Sequence, residues 1–514
     1  MAPALPISVC MIVRDEEKNL AAAIESVQAF AGEIIVVDTG SHDRSMEIAR
    51  ALGATVLVFP WQDDFSLARN VSLHAANHDW IFTLDADQRF DPASIPALTA
   101  ALQRSCMAQT VTIDLMAEDA DEEGSSSYQA LRLFRRDERI QYQGRVHEDI
   151  SESLQELGSL DWPDSGIHLR DIGYVSASER QRKRDRNLIL LERSLAELPG
   201  DLFLAYKLAL TLPATRQDER RMILVAAIDQ ARTREFDDLR GWSFMPRLLA
   251  AAVNASVEQG RLCEASTMAQ ALLPGLGHRA FFCAGRAIAR TGQTALATEL
   301  LIKFLESEPQ NEHKAMQQDL DANISEAYRW LGWLARLKSD FAQAGTWLQQ
   351  ALNSASPAQQ MAVECELIRL SLAEGKMSDI PGALDRLYPM ARSNPHARAE
   401  LMLVSAEVSN AVGDSGGAME LARAAVNTND DRTSALLALL ELRSDIADQE
   451  RLQQHLMNIP GRRFDTLAVR NMLAQSLGLE LEFELPAATK ELMLNKQQWP
   501  DAWGKSSDVL LATG

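Results

Sequence analysis

The sequence predicts an α/β domain built on a parallel sheet, followed by an all-α solenoid, and three observations carry that prediction. Short apolar runs alternate with helix-spaced segments over the first ~175 residues, the pattern of βαβ units. After Tyr174 the strand-like runs stop, and Ala, Leu, Glu, Gln and Arg dominate to about Ile446. Within that second stretch a Gly-x4-Ala element recurs. The length of 514 residues accommodates three or four domains, or one domain plus a repeat array, at ~100–200 residues per domain.

The N-terminal elements follow in order. Ile7–Val13 (ISVCMIV), EIIVVD ending at Asp38, TVLVFP from Thr55 and WIFTLD ending at Asp85 are rich in β-branched and aromatic residues and predict four strands. Between them, Glu16 to Phe30, Asp43 to Leu52 and Phe65 to Asn77 place apolar residues at helix spacing. Right-handed crossovers would then make the sheet parallel. From Thr110 the runs TVTIDLM, YQALRLF and Ile140 to Val146 lack long helices between them and predict a mixed extension of the same sheet.

In the helical stretch the repeated element falls at Gly260/Ala265, Gly292/Ala297 and Gly413/Ala418, with Ser339/Ala344 as a weaker version. Pro274, Pro309, Pro357 and Pro395 follow these or the intervening helices. A small residue in the turn, an alanine at a close helix approach and a closing proline are what tetratricopeptide (TPR) hairpins use. The intervals of 32, 47 and 74 residues are irregular, with a hairpin at Gly375 splitting the last, so the repeats are divergent. The domains expected are 1–175, α/β; 176–446, TPR-like; and 447–514, a capping segment and tail marked by Pro460, Pro486 and Pro500.

Composition narrows the function classes. Acidic residues outnumber basic ones 72 to 51, a net charge of −21 that disfavours non-specific binding to nucleic acid. No apolar run approaches the ~20 residues of a membrane span. Five scattered cysteines without CxxC spacing indicate neither a disulfide framework nor a zinc knuckle. A soluble, cytoplasmic protein is expected.

Open α/β sheets bind ligands at the carboxyl ends of their strands, so the carboxylates there carry the chemistry. Three ends stand out: Val13-Arg14-Asp15-Glu16-Glu17, Asp38-Thr39-Gly40-Ser41 and Asp85-Ala86-Asp87. Two carboxylates one residue apart at a strand's end can address one hard cation such as Mg²⁺ or Mn²⁺ bridged to a diphosphate, or form a solvated turn. Asp38 ends an apolar strand, where a carboxylate without a partner is costly, and suits hydrogen bonding to a ribose or base. No GxxxxGK[ST] or GxGxxG fingerprint is present, which argues against ATPase and dinucleotide-binding readings.

The strings CMIVRDEEKNL, EIIVVDTGSHDRSMEIARALGATV, FPWQDDFSLARN and DWIFTLDADQ, in this order, resemble the family 2 glycosyltransferases. RLFRR, GRVHED and IHLRDIGY continue the likeness to about residue 175, on the bacterial branch that carries TPR repeats and is similar to peptide S-glycosyltransferases. The resemblance implies a GT-A, Rossmann-like nucleotide-sugar domain. It implies that Val13, Asp15 and Glu17 line the nucleotide pocket and that Asp38 meets the uridine. Arg69 and Asn70 would lie near the sugar diphosphate, unless Arg69 is a surface ion pair. Asp85 and Asp87 would be the metal motif for Mn²⁺ or Mg²⁺, with a UDP-sugar as donor. Two positions depart from the branch: Gln88 stands where it has a glutamate, and Asp171 where it has a histidine that serves as a third ligand, the nearest histidine being His168.

An inverting enzyme of this kind needs a base on the acceptor side, and GRVHED offers Glu148 first, Asp149 second and His147 as a metal neighbour or orienting group, or else these three begin a surface loop. A TPR surface binds extended peptides, so a protein or peptide acceptor held by the repeats is expected. The alternatives are transfer to a lipid-linked or surface polysaccharide, and an inactive TPR scaffold.

Overall fold

The protein's computed structural model describes residues 5–115, 127–172, 177–234, 244–272, 278–307, 324–392, 395–425, 431–442, 449–459 and scattered positions from 462 to 479. Tyr174, Pro274, Pro309, Pro460, Pro486, Pro500 and the expected tail beyond 479 lie outside the described residues. The chain divides into two compact units: the first runs to Arg216, and the second takes in 217–310 and 321–514. Among the described residues no helix is long and apolar enough to cross a membrane.

The first unit is the Rossmann-like GT-A domain, an eight-stranded mixed sheet ordered β3-β2-β1-β4-β7-β6-β8-β5. Strands β1 (Ile7–Val13), β2 (Glu33–Asp38), β3 (Thr55–Val58) and β4 (Trp80–Thr83) are parallel. β7 (Ser127–Arg135) runs antiparallel to β4 and to β6 (Ala108–Leu115), and β8 (Asp164–Asp171) lies between β6 and β5 (Gln88–Phe90). The runs of β1, β2 and β4 are buried on both faces, whereas β3 is an edge strand with Val58 exposed. On one side Ile7, Val9, Met11 and Val13 pack against Leu20, Ala23, Ile24 and Val27 of α1 (Leu20–Gln28). On the other, Cys10, Ile35 and Ile81 meet Leu73 and Ala76 at the end of α3 (Phe65–Ala75). Helix α2 (Ser45–Ala51) connects β2 to β3, and α4 (Ile95–Ala101) precedes β6.

One connection shapes the sheet. Only residues 84–87 join β4 to β5, although β7, β6 and β8 stand between them. Five Cα steps reach at most ~18 Å, whereas four strand spacings of a flat sheet need ~19 Å. The sheet therefore curls back, and Phe90 of β5 packs beside Phe82 of β4 (ring centroids 6.1 Å apart) and Phe30 beyond α1 (4.6 Å). Asp85 and Asp87 occupy this short crossing.

The stretch from Ile140 to Val146 corrects the sequence reading: it has strand-like alternation, with Ile140, Tyr142 and Val146 buried, but it is not a strand. The reason is that Asn70 takes the main-chain groups a ladder would use. Its Oδ1 accepts from Tyr142 N at 2.8 Å, and its Nδ2 donates to Tyr142 O at 2.9 Å. Helices α5 (Ser151–Glu156), α6 (Ala177–Glu197) and α7 (Leu202–Thr211) complete this unit.

The second unit is helical and fits TPR-like repeats. Helices α8 (Gln217–Ala231), α9 (Met245–Glu258) and α10 (Leu262–Leu272) are followed by α11 (His278–Arg290) with α12 (Thr294–Glu306), and α13 (Ile324–Leu337) with α14 (Phe341–Ser354). Then come α15 (Pro357–Glu374), α16 (Ile380–Met390), α17 (Pro395–Ala411), α18 (Ser415–Ala425), α19 (Asp431–Leu442) and α20 (Gln449–Asn458). Gly260, Gly292, Gly413 and Ser339 all adopt left-handed backbone (φ 70°, 83°, 91° and 58°) in the turns within hairpins. Ala265, Ala297, Ala344 and Ala418 are each fully buried. Gly285 and Gly332 let paired helices close up: a methyl on Gly332 would come within 2.6 Å of Leu348 Cγ, and one on Gly285 within 2.9 Å of Leu301 Cγ. A buried ionic chain, Arg336–Glu366–Arg369–Glu407, ties α13, α15 and α17 together.

Candidate active site

The nucleotide side is assembled by the ends of β1 and β2. The Val13 carbonyl accepts from both Thr39 N (2.9 Å) and Thr39 Oγ1 (3.0 Å). Asp15 adopts left-handed backbone (φ 54°), takes Ser41 Oγ on its amide at 2.9 Å, and returns its carboxylate to His42 N at 2.7 Å. Glu17 is held through its amide by Asp43 Oδ2 at 2.9 Å. Asp38, 1% exposed, uses Oδ1 to accept from Gly40 N and Ser41 N, both at 2.9 Å. Its Oδ2 is buried with no hydrogen-bond partner, which is costly for a buried polar atom.

The centre is an alternating charge chain. Asp64 caps α3 by accepting from Leu67 N, and the helix presents Arg69 one turn later. Arg69 donates Nη2 to Asp85 Oδ1 (2.8 Å) and Nε to Glu148 Oε1 (2.6 Å), while Arg132 of β7 donates Nη2 to Asp85 Oδ2 (2.8 Å). Arg69 also lies 5.3 Å from the Tyr142 ring. Burial would raise the Asp85 carboxyl, but Arg132 and then Arg69 outweigh it and hold it well below the usual carboxylate range. Arg69 is therefore not a surface ion pair. Arg132 escaped the sequence reading, although it stands in the RLFRR string, because nothing local marks which strand residue will face Asp85.

Asp87 is engaged by a different cation, Lys183 Nζ of α6, at 2.6 Å. Gln88 closes the turn by accepting from Asp85 N at 3.2 Å and turns its Nε2 toward Asp171 Oδ2 at 3.5 Å, across the β5–β8 pairing. The two departures from the family pattern are thus chemically matched: a glutamate at 88 would set two carboxylates against each other. Asp171 is buried at this end of the sheet, whereas His168 lies on the opposite face of β8 and pairs with Asp114 Oδ2 at 3.0 Å. The structure brings Asp85, Asp87 and Asp171 to one end and leaves His168 apart.

Glu148 is presented by an excursion closed by main-chain bonds between Gln143 and Asp149 (2.9 and 3.1 Å), with Gly144 and His147 in left-handed backbone (φ 99° and 57°). Asp149 spends its carboxylate on Ser151 N at 2.5 Å, at the start of α5. Desolvation of its ring and, behind it, the Lys207 ammonium lower the His147 imidazole from its ordinary value, although the residue as a whole is exposed. Among the described residues Glu148 accepts only at Oε1 and Asp149 only at Oδ1, so each keeps one carboxylate oxygen without a hydrogen bond, and Glu148 is the one tied to Asp85 through Arg69.

Hard divalent ions are commonly held by one or two carboxylates plus substrate phosphates. Among the described residues no cluster of three or more His, Cys, Asp or Glu forms a protein cage. Asp87 fits the lesser requirement, since its carboxylate already holds a positive charge and Asp171 is the neighbouring acid. Both Asp85 oxygens are taken by guanidiniums.

The mixed sheet thus carries an Asp-x-Asp crossing between β4 and β5. Residues 8–150 match the family model for glycosyl transferase family 2. A TPR repeat-containing protein of Synechococcus elongatus is 36% identical over 211 residues, 39% of this chain and 51% of that one. The SPbeta prophage-derived glycosyltransferase SunS of Bacillus subtilis is 28% identical over 143 residues, 27% of this chain and 33% of its own. The chain thus spans about half or less of the curated relatives it matches. Among solved structures, Mycobacterium tuberculosis glucosyl-3-phosphoglycerate synthase with Mn²⁺, UDP and glucosyl-3-phosphoglycerate is 25% identical, covering 22% of this chain and 43% of that one at a TM-score of 0.19.

Proposed function

We propose that this protein transfers a sugar from a UDP-sugar to a protein or peptide acceptor, by one inverting displacement, with the TPR-like repeats recruiting the acceptor. The observation that carries the reading is the Asp38–Asp85–Asp87 series at one sheet edge, with Asp38 Oδ2 buried and unpartnered. Asp38 offers that oxygen to a donor on the uridine, and the Asp15 and Glu17 turn walls the pocket. Asp87, with Asp171 beside it, would hold Mn²⁺ or Mg²⁺. When bound, such an ion supplies Lewis-acid stabilisation of the leaving diphosphate. Arg69 and Arg132 keep Asp85 ionised and fixed. Glu148 Oε2 accepts the proton of the acceptor hydroxyl as the new bond forms at the anomeric carbon. Asn70 holds the Tyr142 segment that leads into the Glu148 excursion.

Calorimetry with UDP tests the donor site: binding should weaken in chelator and in Asp87→Ala, and equal affinity in all three settings rejects the metal reading. Mass spectrometry of proteins from cells with and without the chain tests the acceptor. Loss of a glycopeptide mass supports a protein acceptor, whereas a change confined to surface polysaccharide overturns it.

A further inference from the structure

Helix α6 lies along the site of its own unit and meets it through side-chain pairs on one face. Lys183, Arg186, Arg193 and Glu197 fall within one helical stripe. Lys183 reaches Asp87, and the Arg186 guanidinium lies 4.7 Å from the Phe65 ring at the start of α3. Arg193 meets Asp63 at 2.9 Å, and Glu197 takes Arg145 of the GRVHED stretch at 2.9 Å. The Arg193–Asp63 pair is half-exposed on both sides and contributes little. Lys183–Asp87 differs, with side chains only 20% and 17% exposed.

The same end of α6 concentrates positive charge in an acidic protein. Arg180, Arg182, Lys183, Arg184 and Arg186 fall within seven residues of a chain whose net charge is −21. Of that run, Lys183 is the residue paired with a site acid. Burial raises the Glu16 carboxyl and the nearby Asp87 charge adds to the rise, while Lys183 and Arg182 oppose it. The ammonium occupies Asp87 Oδ2 at 2.6 Å, so a divalent ion that takes that oxygen displaces it. Something has to receive the ammonium when the ion arrives, and the ligand that brings the ion carries two phosphates.

We propose that Lys183 is a ligand of the donor's diphosphate, held on Asp87 until the nucleotide binds; this rests on the nucleotide-sugar reading above. On binding, Asp87 exchanges the ammonium for the cation, and the flexible four-carbon stem of Lys183 swings its charge to a phosphate oxygen. Lys183 thereby competes with the metal in the empty protein and cooperates with the nucleotide in the loaded one.

Calorimetry on the full chain, with Mn²⁺ alone, UDP plus Mn²⁺ and uridine as probes, separates these roles. Lys183→Met should bind Mn²⁺ alone more tightly than wild type and UDP at least ~10-fold more weakly, the loss of one charge-assisted bond, with uridine affinity unchanged. Lys183→Arg, which keeps the charge, should recover UDP binding. Unchanged UDP affinity in Lys183→Met overturns the proposal, and so does an equal loss of uridine binding, which marks a purely structural lysine. Wild-type protein that binds uridine but not UDP also overturns it, while failure to bind either probe removes the nucleotide-sugar reading itself.

Discussion

Asp85 and Glu148 share one guanidinium: Arg69 Nη2 lies 2.8 Å from Asp85 Oδ1 and Arg69 Nε 2.6 Å from Glu148 Oε1. The crossing after β4 and the excursion between Gln143 and Asp149 are thereby held at a fixed separation by a side chain only 7% exposed. Preorganisation of this kind is what a single displacement needs, since both partners of the reacting bond must be in register.

Arg69→Lys should therefore behave as a severe change despite keeping its charge. An ammonium cannot span two carboxylates with a planar fork. We expect sugar transfer to fall by about 10²-fold, the cost of a small misplacement, with a lowered unfolding temperature. Steady-state turnover and calorimetric unfolding read the two effects, and wild-type behaviour in both would show the bridge to be dispensable.

Asp85→Asn removes one acid from between two cations. Breaking a buried pair costs about 3–5 kcal/mol, and the partial exposure of Asp85 points to the lower end. The sign with pH follows from its depressed carboxyl. The stabilisation is present above the unfolded carboxyl value of about 3.9 and is lost as pH falls below it. The gap in stability between wild type and Asp85→Asn should be constant from neutral pH down to about 5 and narrow below 4. A gap independent of acid would contradict the ion-pair assignment.

Glu148→Gln should leave UDP affinity unchanged and lower transfer to a hydroxyl acceptor by ~10²–10⁴-fold. A thiol acceptor would blunt the effect, because a thiolate forms far more easily near neutral pH. Near wild-type transfer to a hydroxyl acceptor would move the base elsewhere, with Asp149 next.

Asp38→Asn keeps an acceptor for Gly40 N and Ser41 N while turning the unpartnered Oδ2 into a donor. Stability should hold, and affinity for UDP and uridine alike should drop by about 10–100-fold, the worth of a hydrogen bond to a charged group. Equal losses for both probes would locate the contact on the nucleoside; a loss for UDP alone would not.

Two glycines of the solenoid make opposite predictions. Gly332→Ala drives a methyl to 2.6 Å from Leu348 Cγ and should destabilise the second unit by about 1–3 kcal/mol. Gly382→Ala, in the first turn of α16 with nothing within 4 Å, should stabilise it by up to about 1 kcal/mol. Denaturant unfolding of each variant gives the sign directly.

The strands β1, β2 and β4 were legible because parallel strands buried on both faces read as unbroken apolar runs, ISVCMIV and EIIVVD among them, and the edge strand β3 through its β-branched residues. The hairpin turns were legible because left-handed backbone selects glycine, and Ser339 explains why one repeat looked weaker. Alternation alone misled at Ile140 to Val146, where burial is periodic but Asn70 supplies the hydrogen bonds. Arg132 and Lys183 were invisible as site residues for a different reason: each reaches its aspartate from an element remote in sequence, and no local pattern records that pairing.

The short crossing from β4 to β5 has a consequence for how this edge can vary. The crossing is a tight turn, with Gln88 N donating to Asp85 O at 3.0 Å, so its residue count is tied to the curl that brings β5 back beside β4. One inserted residue between Leu84 and Gln88 would add up to ~3.5 Å of free play, enough to uncouple Asp87 from Asp85 even with both acids retained. The one-residue spacing of the two aspartates is thus set by architecture before any ligand is considered, and tolerance to insertion at this edge should be lowest within the turn from Asp85 to Gln88.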